Sequence, residues 1–85
     1  MLSWGMKWID ELPTPAVLVE RSRLQDNIAR MQALADQQRV ALRPHTKTHK
    51  SVRLAQLQRE AGARGLTVAK VGEAEVLVDA GFDDI

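Results

Sequence analysis

One eight-residue stretch, RPHTKTHK at positions 43–50, gathers most of the side chains in this chain that could do chemistry. It contains an arginine, both histidines and two lysines, and no acid. Four kinds of site are compatible with such a cluster: a metal site, a nucleic-acid contact, a reactive lysine or a solvated loop. The residues around the stretch favour some of these four kinds of site and argue against others.

The flanking residues argue against a metal site and against a nucleic-acid contact. His45 and His49 are four apart, a spacing that suits a helical face, but Pro44 disfavours a helix here and no carboxylate or thiol lies nearby to complete a metal site. Six cations between Arg39 and Arg59 could neutralise phosphates. The chain has no tyrosine and one phenylalanine, however, so bases would find few stacking partners.

Alternation along the stretch points to a reactive lysine. A strand that runs from Val40 into RPHTK places Arg43, His45 and Lys47 on one face, with Leu42 on the other. A lysine amine becomes nucleophilic when cations crowd it or water is excluded. The carboxyl end of a parallel strand is where βα folds place their chemistry. Such a lysine can form a Schiff base with a carbonyl compound, and solvated positions at a strand end remain the alternative.

The chain pattern predicts alternating strands and helices. Short β-rich runs predict three strands: residues 16–20, 40–47 and 66–71. Apolar residues at helical spacing predict three helices: residues 23–37, a helix that follows Ser51, and a helix that begins at Gly72. Consecutive βα units of this length indicate a parallel sheet. Such sheets are covered on both faces, so the sequence predicts part of a larger barrel or sheet.

Local signals predict where the helices begin and end. Ser22 has the capping-box spacing to Gln25, Ser51 is a candidate N-cap, and Gly81 is a natural terminator. One apolar face is predicted for the first helix, formed by Leu24, Ile28, Met31 and Leu34.

Composition narrows the class of protein. The 85 residues are 45% hydrophobic and carry a net charge of +1, which gives no global case for nucleic acid or membrane as a partner. The absence of cysteine excludes a disulfide framework. The first residues lack the pattern of a signal peptide, so we expect a cytoplasmic protein.

Four segments, in this order, resemble the N-terminal part of the D-threonine aldolase and D-serine dehydratase family. They are Leu12–Pro15, Asn27–Ile28, Arg43–Lys50 and Val68–Glu75, and the resemblance covers residues 12–85. The family consists of pyridoxal-phosphate enzymes of the alanine racemase (fold type III) class. RPHxKTHK is specific to this group, whereas VGEAE is shared more widely among related barrels.

The resemblance implies an α/β fold, the first βα units of an alanine racemase-like (β/α)8 barrel that is incomplete in this chain. Residues 21–85 would form those units. Residues 1–20 would be an N-terminal extension whose strand pairs with a C-terminal β domain outside the chain. The phosphate site and a divalent metal would also lie outside it, and the full-length protein would be a homodimer.

The resemblance also implies roles for individual residues. Lys47, the first lysine of the motif, would carry pyridoxal 5'-phosphate as a Schiff base and act in catalysis. His45 would lie below the cofactor, where it either positions Lys47 or fills a layer of the barrel. Arg43 is expected to be an ion-pair anchor, and His49 and Lys50 to form the turn after the strand. No metal ligand is predicted in this chain.

The predicted function is that of the N-terminal segment of a pyridoxal-phosphate-dependent lyase. It would act on a small D-amino acid, either as an aldolase on D-3-hydroxyamino acids or as a D-serine-type dehydratase. The alternatives are a non-catalytic pyridoxal-phosphate-binding barrel and an amino-acid racemase of the same fold. The 85 residues alone are expected to be inactive.

Overall fold

A computed structural model describes residues 7–85, in which helices supply the regular secondary structure. A 3₁₀-helix spans Lys7–Glu11. Three α-helices follow: α1 (Arg21–Gln37), α2 (Val52–Ala61) and α3 (Val71–Asp79). The predicted number and order of α-helices is confirmed.

Helix α1 begins two residues earlier than predicted, because Glu20 caps it and Ser22 does not. The Glu20 carboxylate accepts a hydrogen bond from the backbone N–H of Arg23 at 3.0 Å. The Ser22 hydroxyl donates to the same carboxylate. A carboxylate is a stronger acceptor than a hydroxyl, and its charge is favourable at a helix N-terminus. The capping-box prediction for Ser22 was therefore wrong.

The apolar face predicted for α1 is only partly covered. Leu24 and Ile28 are half-buried, but Met31 and Leu34 are 53% and 52% exposed. The buried residues of the helix are Gln32 and Ala35. Among the described helices α1 packs mainly against α2, so a narrow strip is covered and the rest of the apolar face lies open.

The predicted start of α2 is confirmed. The Ser51 hydroxyl oxygen accepts a hydrogen bond from the Leu54 N–H at 3.1 Å. At the other end Gly62 adopts a φ of 125°, a conformation that favours glycine. Its N–H bonds to the last carbonyls of the helix.

Helix α3 begins at Val71, one residue before the predicted Gly72, and Lys70 is its N-cap residue. Ala80 is the C-cap, and Gly81 follows with a φ of 101°. The prediction that Gly81 ends this helix is confirmed.

The predicted strands of residues 40–47 and 66–71 are reduced to a short hydrogen-bonded ladder, with no regular strand in residues 7–85. His45 and Thr67 form a parallel bridge. The Thr67 N–H donates to the Pro44 carbonyl at 2.8 Å, and the Thr46 N–H donates to the Thr67 carbonyl at 2.9 Å. Proline has no N–H to donate, so regular pairing is interrupted at residue 44.

Two further backbone bonds extend the ladder. The Arg64 N–H donates to the Leu42 carbonyl at 2.9 Å, and the Leu66 N–H donates to the Asp84 carbonyl at 2.9 Å. We call residues 42–46 the first ladder segment and residues 64–67 the second. The second segment is thus bonded to the first on one side and to the last residues on the other, and α2 links the two segments as in a βα unit.

No strand forms over residues 16–20, where one was predicted. Val17, Leu18 and Val19 are 92%, 57% and 56% exposed. In the described part of the chain, none of the backbone hydrogen bonds between segments involves residues 16–19. A β-run without a neighbouring strand leaves its backbone groups to water, so the local sequence preference is not realised here.

The core lies between the ladder and the helices α2 and α3. Ala55, Leu66, Leu77 and Phe82 form one buried cluster. The Arg59 guanidinium at the end of α2 lies 4.2 Å from the centroid of the Phe82 ring, a cation–π contact that covers the cluster. One side of the ladder therefore carries the helices.

His49 connects the turn after the first ladder segment to α2. Its Nδ1 accepts the Ser51 N–H at 2.9 Å, and its Nε2 lies 3.1 Å from Oε1 of Gln58. Because Nδ1 is an acceptor, the ring proton is on Nε2, which donates to Gln58. The expectation that His49 belongs to the turn is confirmed, and both ring nitrogens have structural partners.

The Glu20 cap predicts a pH dependence at the start of α1. The Ser22 hydroxyl, and after it the Arg23 N–H, hold the pKa of Glu20 below its ordinary value of 4.5. A lowered folded-state pKa means that the cap acts fully above 4.5 and is lost as the pH falls through the lowered value. We expect the NMR shift of the Arg23 amide proton to titrate with a midpoint below 4.5, and Glu20→Gln to abolish that titration. A midpoint at or above 4.5 would contradict the cap.

Replacing the two histidines should affect stability to different extents. His49→Ala removes both ring contacts and leaves Gln58 and the Ser51 N–H without these partners, so we expect a loss of about 1–3 kcal/mol in the free energy of unfolding. His45→Ala is the matched control from the same motif; its ring is exposed, and we expect a change within about 0.5 kcal/mol. Urea denaturation of both variants measures the difference, and equal losses would refute it.

Candidate functional site

Side chains alternate across the first ladder segment as predicted. Thr46 is 2% exposed and faces the helices, and Leu42 is half-buried. Arg43, His45 and Lys47 are all exposed. Arg43 and His45 thus lie on the side of the ladder opposite to the buried Thr46, and Lys47 follows as an exposed residue at its end.

His45 and Lys47 are joined directly. The backbone N–H of Lys47 donates to Nδ1 of His45 at 3.2 Å. This bond orients the imidazole ring over the first residue of the turn and leaves Nε2 as the free nitrogen, which carries the proton in the neutral ring. His45 therefore presents an N–H donor beside Lys47.

Lys47 opens a turn and does not belong to the ladder, which corrects the predicted strand by one residue. The turn covers residues 47–49 and is closed by a hydrogen bond of 2.7 Å from the Lys50 N–H to the Thr46 carbonyl. Lys50 has a φ of 49°, in the left-handed region. Lys47 is therefore held at the carboxyl end of the ladder by a buried residue before it and a tight turn after it.

The Lys47 amine is available for chemistry. The side chain is exposed, and within residues 7–85 it takes part in no hydrogen bond or ion pair. Its backbone, by contrast, is tied to His45. A fixed backbone with a free amine is the arrangement that a covalent lysine site needs.

Arg43, the third member of the row, is engaged in a different way. One guanidinium nitrogen forms an ion pair with the Asp84 carboxylate, and the other donates to the Leu66 carbonyl at 3.2 Å. The expectation that Arg43 forms an ion pair is confirmed. The row thus divides into an anchored arginine and a free His45–Lys47 pair.

The best-enclosed cavity lies on the other side of the ladder. It has a volume of about 210 Å³, lies between the starts of α2 and α3, and is lined by residues that include Thr46, Ser51 and Glu73 but not Lys47. Glu73 is in the first turn of α3, as predicted, and its Oε1 is buried with no hydrogen-bond partner among the described residues. This cavity is separate from the predicted site.

The open side of the ladder has a wide groove instead. Arg43, Thr67 and Lys70 are among the residues that line it, together with Ile85. Lys70 thus lines the same groove as Arg43, whereas Lys47 is not a lining residue of it.

Sequence reasoning missed three residues that organise the site. They are Gly65 and Asp84, which accommodate Arg43, and Gln58, which pairs with His49. Asp84 is 41 residues from its partner. No local pattern in the sequence marks Asp84 as the partner of Arg43.

Residues 7–85 contain no group of three or more His, Cys, Asp or Glu side chains that could hold a metal ion. None of the helices in this part of the chain is long and apolar enough to cross a bilayer.

Comparison with known proteins gives consistent matches over most of the chain. A family model described as alanine racemase, N-terminal domain, matches residues 19–84. The D-threo-3-hydroxyaspartate dehydratase of Delftia sp. (strain HT23) is 54% identical over 74 residues, which are 87% of this chain and 20% of that protein. The D-threonine aldolase of Arthrobacter sp. is 44% identical over 72 residues, which are 85% of this chain and 19% of the relative.

Solved structures match in the same way. The Delftia sp. HT23 dehydratase superposes with a TM-score of 0.84, and a mutant of D-threo-3-hydroxyaspartate dehydratase in the metal-free form with 0.83. Each of these two chains shares 54% sequence identity, and the match covers 87% of this chain and 20% of the other. The D-threonine aldolase from Filomicrobium marinum gives a TM-score of 0.80 at 40% identity, with 85% of this chain and 19% of that chain covered.

The chain spans about a fifth of the length of these relatives, as their coverage of 19–20% shows. Within that fifth, the sequence match and the superposition agree on the predicted fold class, the first units of an alanine racemase-like fold. Relatives of this kind include both dehydratases and aldolases of hydroxyamino acids. The chain belongs to the alanine racemase N-terminal domain family.

Proposed function

We propose that this chain is the N-terminal segment of a pyridoxal-phosphate-dependent lyase that acts on D-3-hydroxyamino acids, with Lys47 as the residue that carries the cofactor. The observation that carries the proposal is the free Lys47 amine on a fixed backbone, at the carboxyl end of the ladder. The names of the relatives, dehydratases and aldolases of D-3-hydroxyamino acids, support the substrate class.

The residues present fit the cofactor. Schiff-base formation needs an amine that is not bound in an ion pair and that can reach a carbonyl carbon. Lys47 meets this requirement within the described residues, whereas Arg43 of the same row is already paired. When bound, the cofactor supplies an electron sink for bond cleavage next to the amino-acid Cα.

Lys47 has a second task in this proposal. After exchange with the amino group of the substrate, its amine would be free beside the reacting carbon and could take or give a proton there. The bond from its backbone to His45 and the turn closed at Thr46 hold the backbone of Lys47, from which the amine would reach that carbon. Catalysis by a positioned acid or base depends on such a fixed attachment point.

His45 contacts the cofactor in this proposal and positions Lys47. Its Nδ1 is occupied by the Lys47 N–H, so only Nε2 is directed elsewhere. An N–H donor at that place can bond to an oxygen of the cofactor or the substrate. His45 thus links the backbone of Lys47 to the bound molecule.

The rest of the site belongs to the parts of the relatives that this chain does not span. We propose that those parts supply the phosphate-binding residues, a divalent metal and the β domain that pairs with residues 16–20. A relative solved in a metal-free form supports the metal. The full-length protein is proposed to be a cytoplasmic homodimer with a small D-amino acid as substrate, and with neither nucleic acid nor membrane as a partner.

Borohydride reduction of the full-length protein tests the assignment of Lys47. We expect peptide mapping to find the pyridoxyl group on Lys47, and Lys47→Arg to abolish the label. Lys50→Arg is the matched control from the same motif, because Lys50 lies behind the turn and lines the helix-side cavity. A label on another lysine in the unmodified protein would disprove the assignment.

Product analysis tests the reaction class. D-threonine should give glycine and an aldehyde if the Cα–Cβ bond breaks, and D-serine or D-threo-3-hydroxyaspartate should give a keto acid and ammonia if the β-hydroxyl is lost. We expect one of these two outcomes, with the L-enantiomers inert. Interconversion of D- and L-amino acids would instead indicate a racemase, and cofactor binding without turnover would indicate a binding protein.

A further inference from the structure

One guanidinium holds three parts of the chain together on the side of the ladder that carries Lys47. Arg43 extends from the first ladder segment, donates to the Leu66 carbonyl of the second at 3.2 Å, and pairs with the carboxylate of Asp84. Asp84 also accepts the Leu66 N–H through its backbone carbonyl at 2.9 Å. The side-chain bonds of Arg43 and the backbone bond between Leu66 and Asp84 therefore involve the same two residues, Leu66 and Asp84.

Gly65 makes room for this contact. A Cβ atom at Gly65 would lie 2.5 Å from the Asp84 carbonyl oxygen, 2.7 Å from Nη1 of Arg43 and 2.8 Å from Cγ of Asp84. These distances are far below van der Waals contact, and all three atoms belong to the two residues of the ion pair. Any side chain at position 65 would push Arg43 and Asp84 apart. We call Arg43, Gly65 and Asp84 the clasp.

The clasp lies where the ladder is irregular. The Leu42 and Pro44 carbonyls, two residues apart, accept from Arg64 and Thr67, which are three residues apart. The second segment therefore contains one extra residue here, as in a β-bulge, and Pro44 provides no N–H to restore the register. The side-chain contacts of Arg43 add a further constraint at the point where the backbone pairing is irregular.

The pair contributes more to geometry than to stability. The side chains of Arg43 and Asp84 are 42% and 41% exposed, and ion pairs of that exposure add little to the free energy of unfolding. Arg64 is the other cation near Asp84, with its Nε 4.0 Å from the carboxylate and its side chain 72% exposed. Among the described residues, Arg43 is the one whose side chain joins the first segment to Asp84, so it adds a contact there that Arg64 does not.

We propose that the clasp positions Lys47, so that Arg43 is a positioning residue for the cofactor lysine and not a ligand of the cofactor. His45 and Lys47 follow Arg43 at intervals of two residues on the same side, and any shift of the first segment at Arg43 moves both. This inference rests on the proposed function of Lys47. It adds the residues that hold the lysine in place, two of which lie outside the RPHTKTHK motif.

Steady-state kinetics of the full-length holoenzyme test the clasp. Arg43→Gln and Asp84→Asn should each lower kcat by about 10- to 100-fold, because a displacement of the order of 1 Å at a reacting group costs about that much. KM for the amino acid should change much less. The double variant should be no slower than either single variant, since both remove the same contact.

Matched controls separate the clasp from general damage. Arg64→Gln removes the neighbouring cation, and Gly72→Ala adds a methyl group where nothing lies within 4 Å, so both should keep wild-type kcat. Gly65→Ala should behave like Arg43→Gln. A second readout is the pH titration of the visible absorbance of the lysine-bound cofactor. Its midpoint should shift in Arg43→Gln, Asp84→Asn and Gly65→Ala and stay unchanged in both controls. A merely structural role of the clasp would not produce this shift.

The outcomes distinguish the two proposals. If Lys47 is labelled in the wild-type protein but Arg43→Gln and Asp84→Asn keep normal kcat and absorbance, the clasp is refuted and the assignment of Lys47 is kept. If Arg43→Gln binds the cofactor more weakly but has normal kcat at saturating cofactor, Arg43 is a ligand of the cofactor. That result would also refute the clasp. If the wild-type protein is labelled elsewhere, the proposed function fails, and the positioning role fails with it.

Discussion

The backbone pairing of Thr46 with Thr67 is the constraint on which the rest of this structure depends. The Thr46 N–H donates to the Thr67 carbonyl, and the Thr67 N–H donates to the Pro44 carbonyl. Together these bonds turn Thr46 toward the helices, where it is 2% exposed. Side chains alternate along an extended segment, so His45 faces the other way. Lys47, the first residue of the turn, follows directly after the buried threonine.

The two sides of the ladder differ in what they bury. On one side Ala55, Leu66, Leu77 and Phe82 form a small core. On the other side Arg43 and Lys70 line an open groove. In βα folds the chemistry is found at the carboxyl ends of the strands, and the core holds those ends in place. The chain therefore already has a packed side and an open side, as a complete barrel has. It does so although it spans about a fifth of the length of its relatives.

The two histidines of RPHTKTHK show how the same residue type serves two purposes within five positions. His49 has both ring nitrogens engaged, one by the Ser51 N–H and one by Gln58, and it joins the turn to α2. His45 uses only Nδ1, on the backbone of Lys47, and its other nitrogen is free. The cationic cluster is therefore two structures in sequence: a row on the ladder and a turn that begins the next helix. The stretch is densely charged because the row and the turn follow one another directly in the sequence.

The sequence by itself determined the helices and the candidate lysine, and tertiary structure decided the rest. Capping by Ser51 and termination at Gly81 depend on neighbours a few residues away, so local patterns predicted them, and the RPHxKTHK motif was enough to single out Lys47. The predicted strand of residues 16–20 and the full apolar face of α1 failed because each needs a partner surface that the described residues do not provide. The Arg43–Asp84 pair joins residues 41 apart and exists only because Gly65 lacks a side chain between them. Contacts of that kind depend on how the segments meet in space, and no local pattern encodes them.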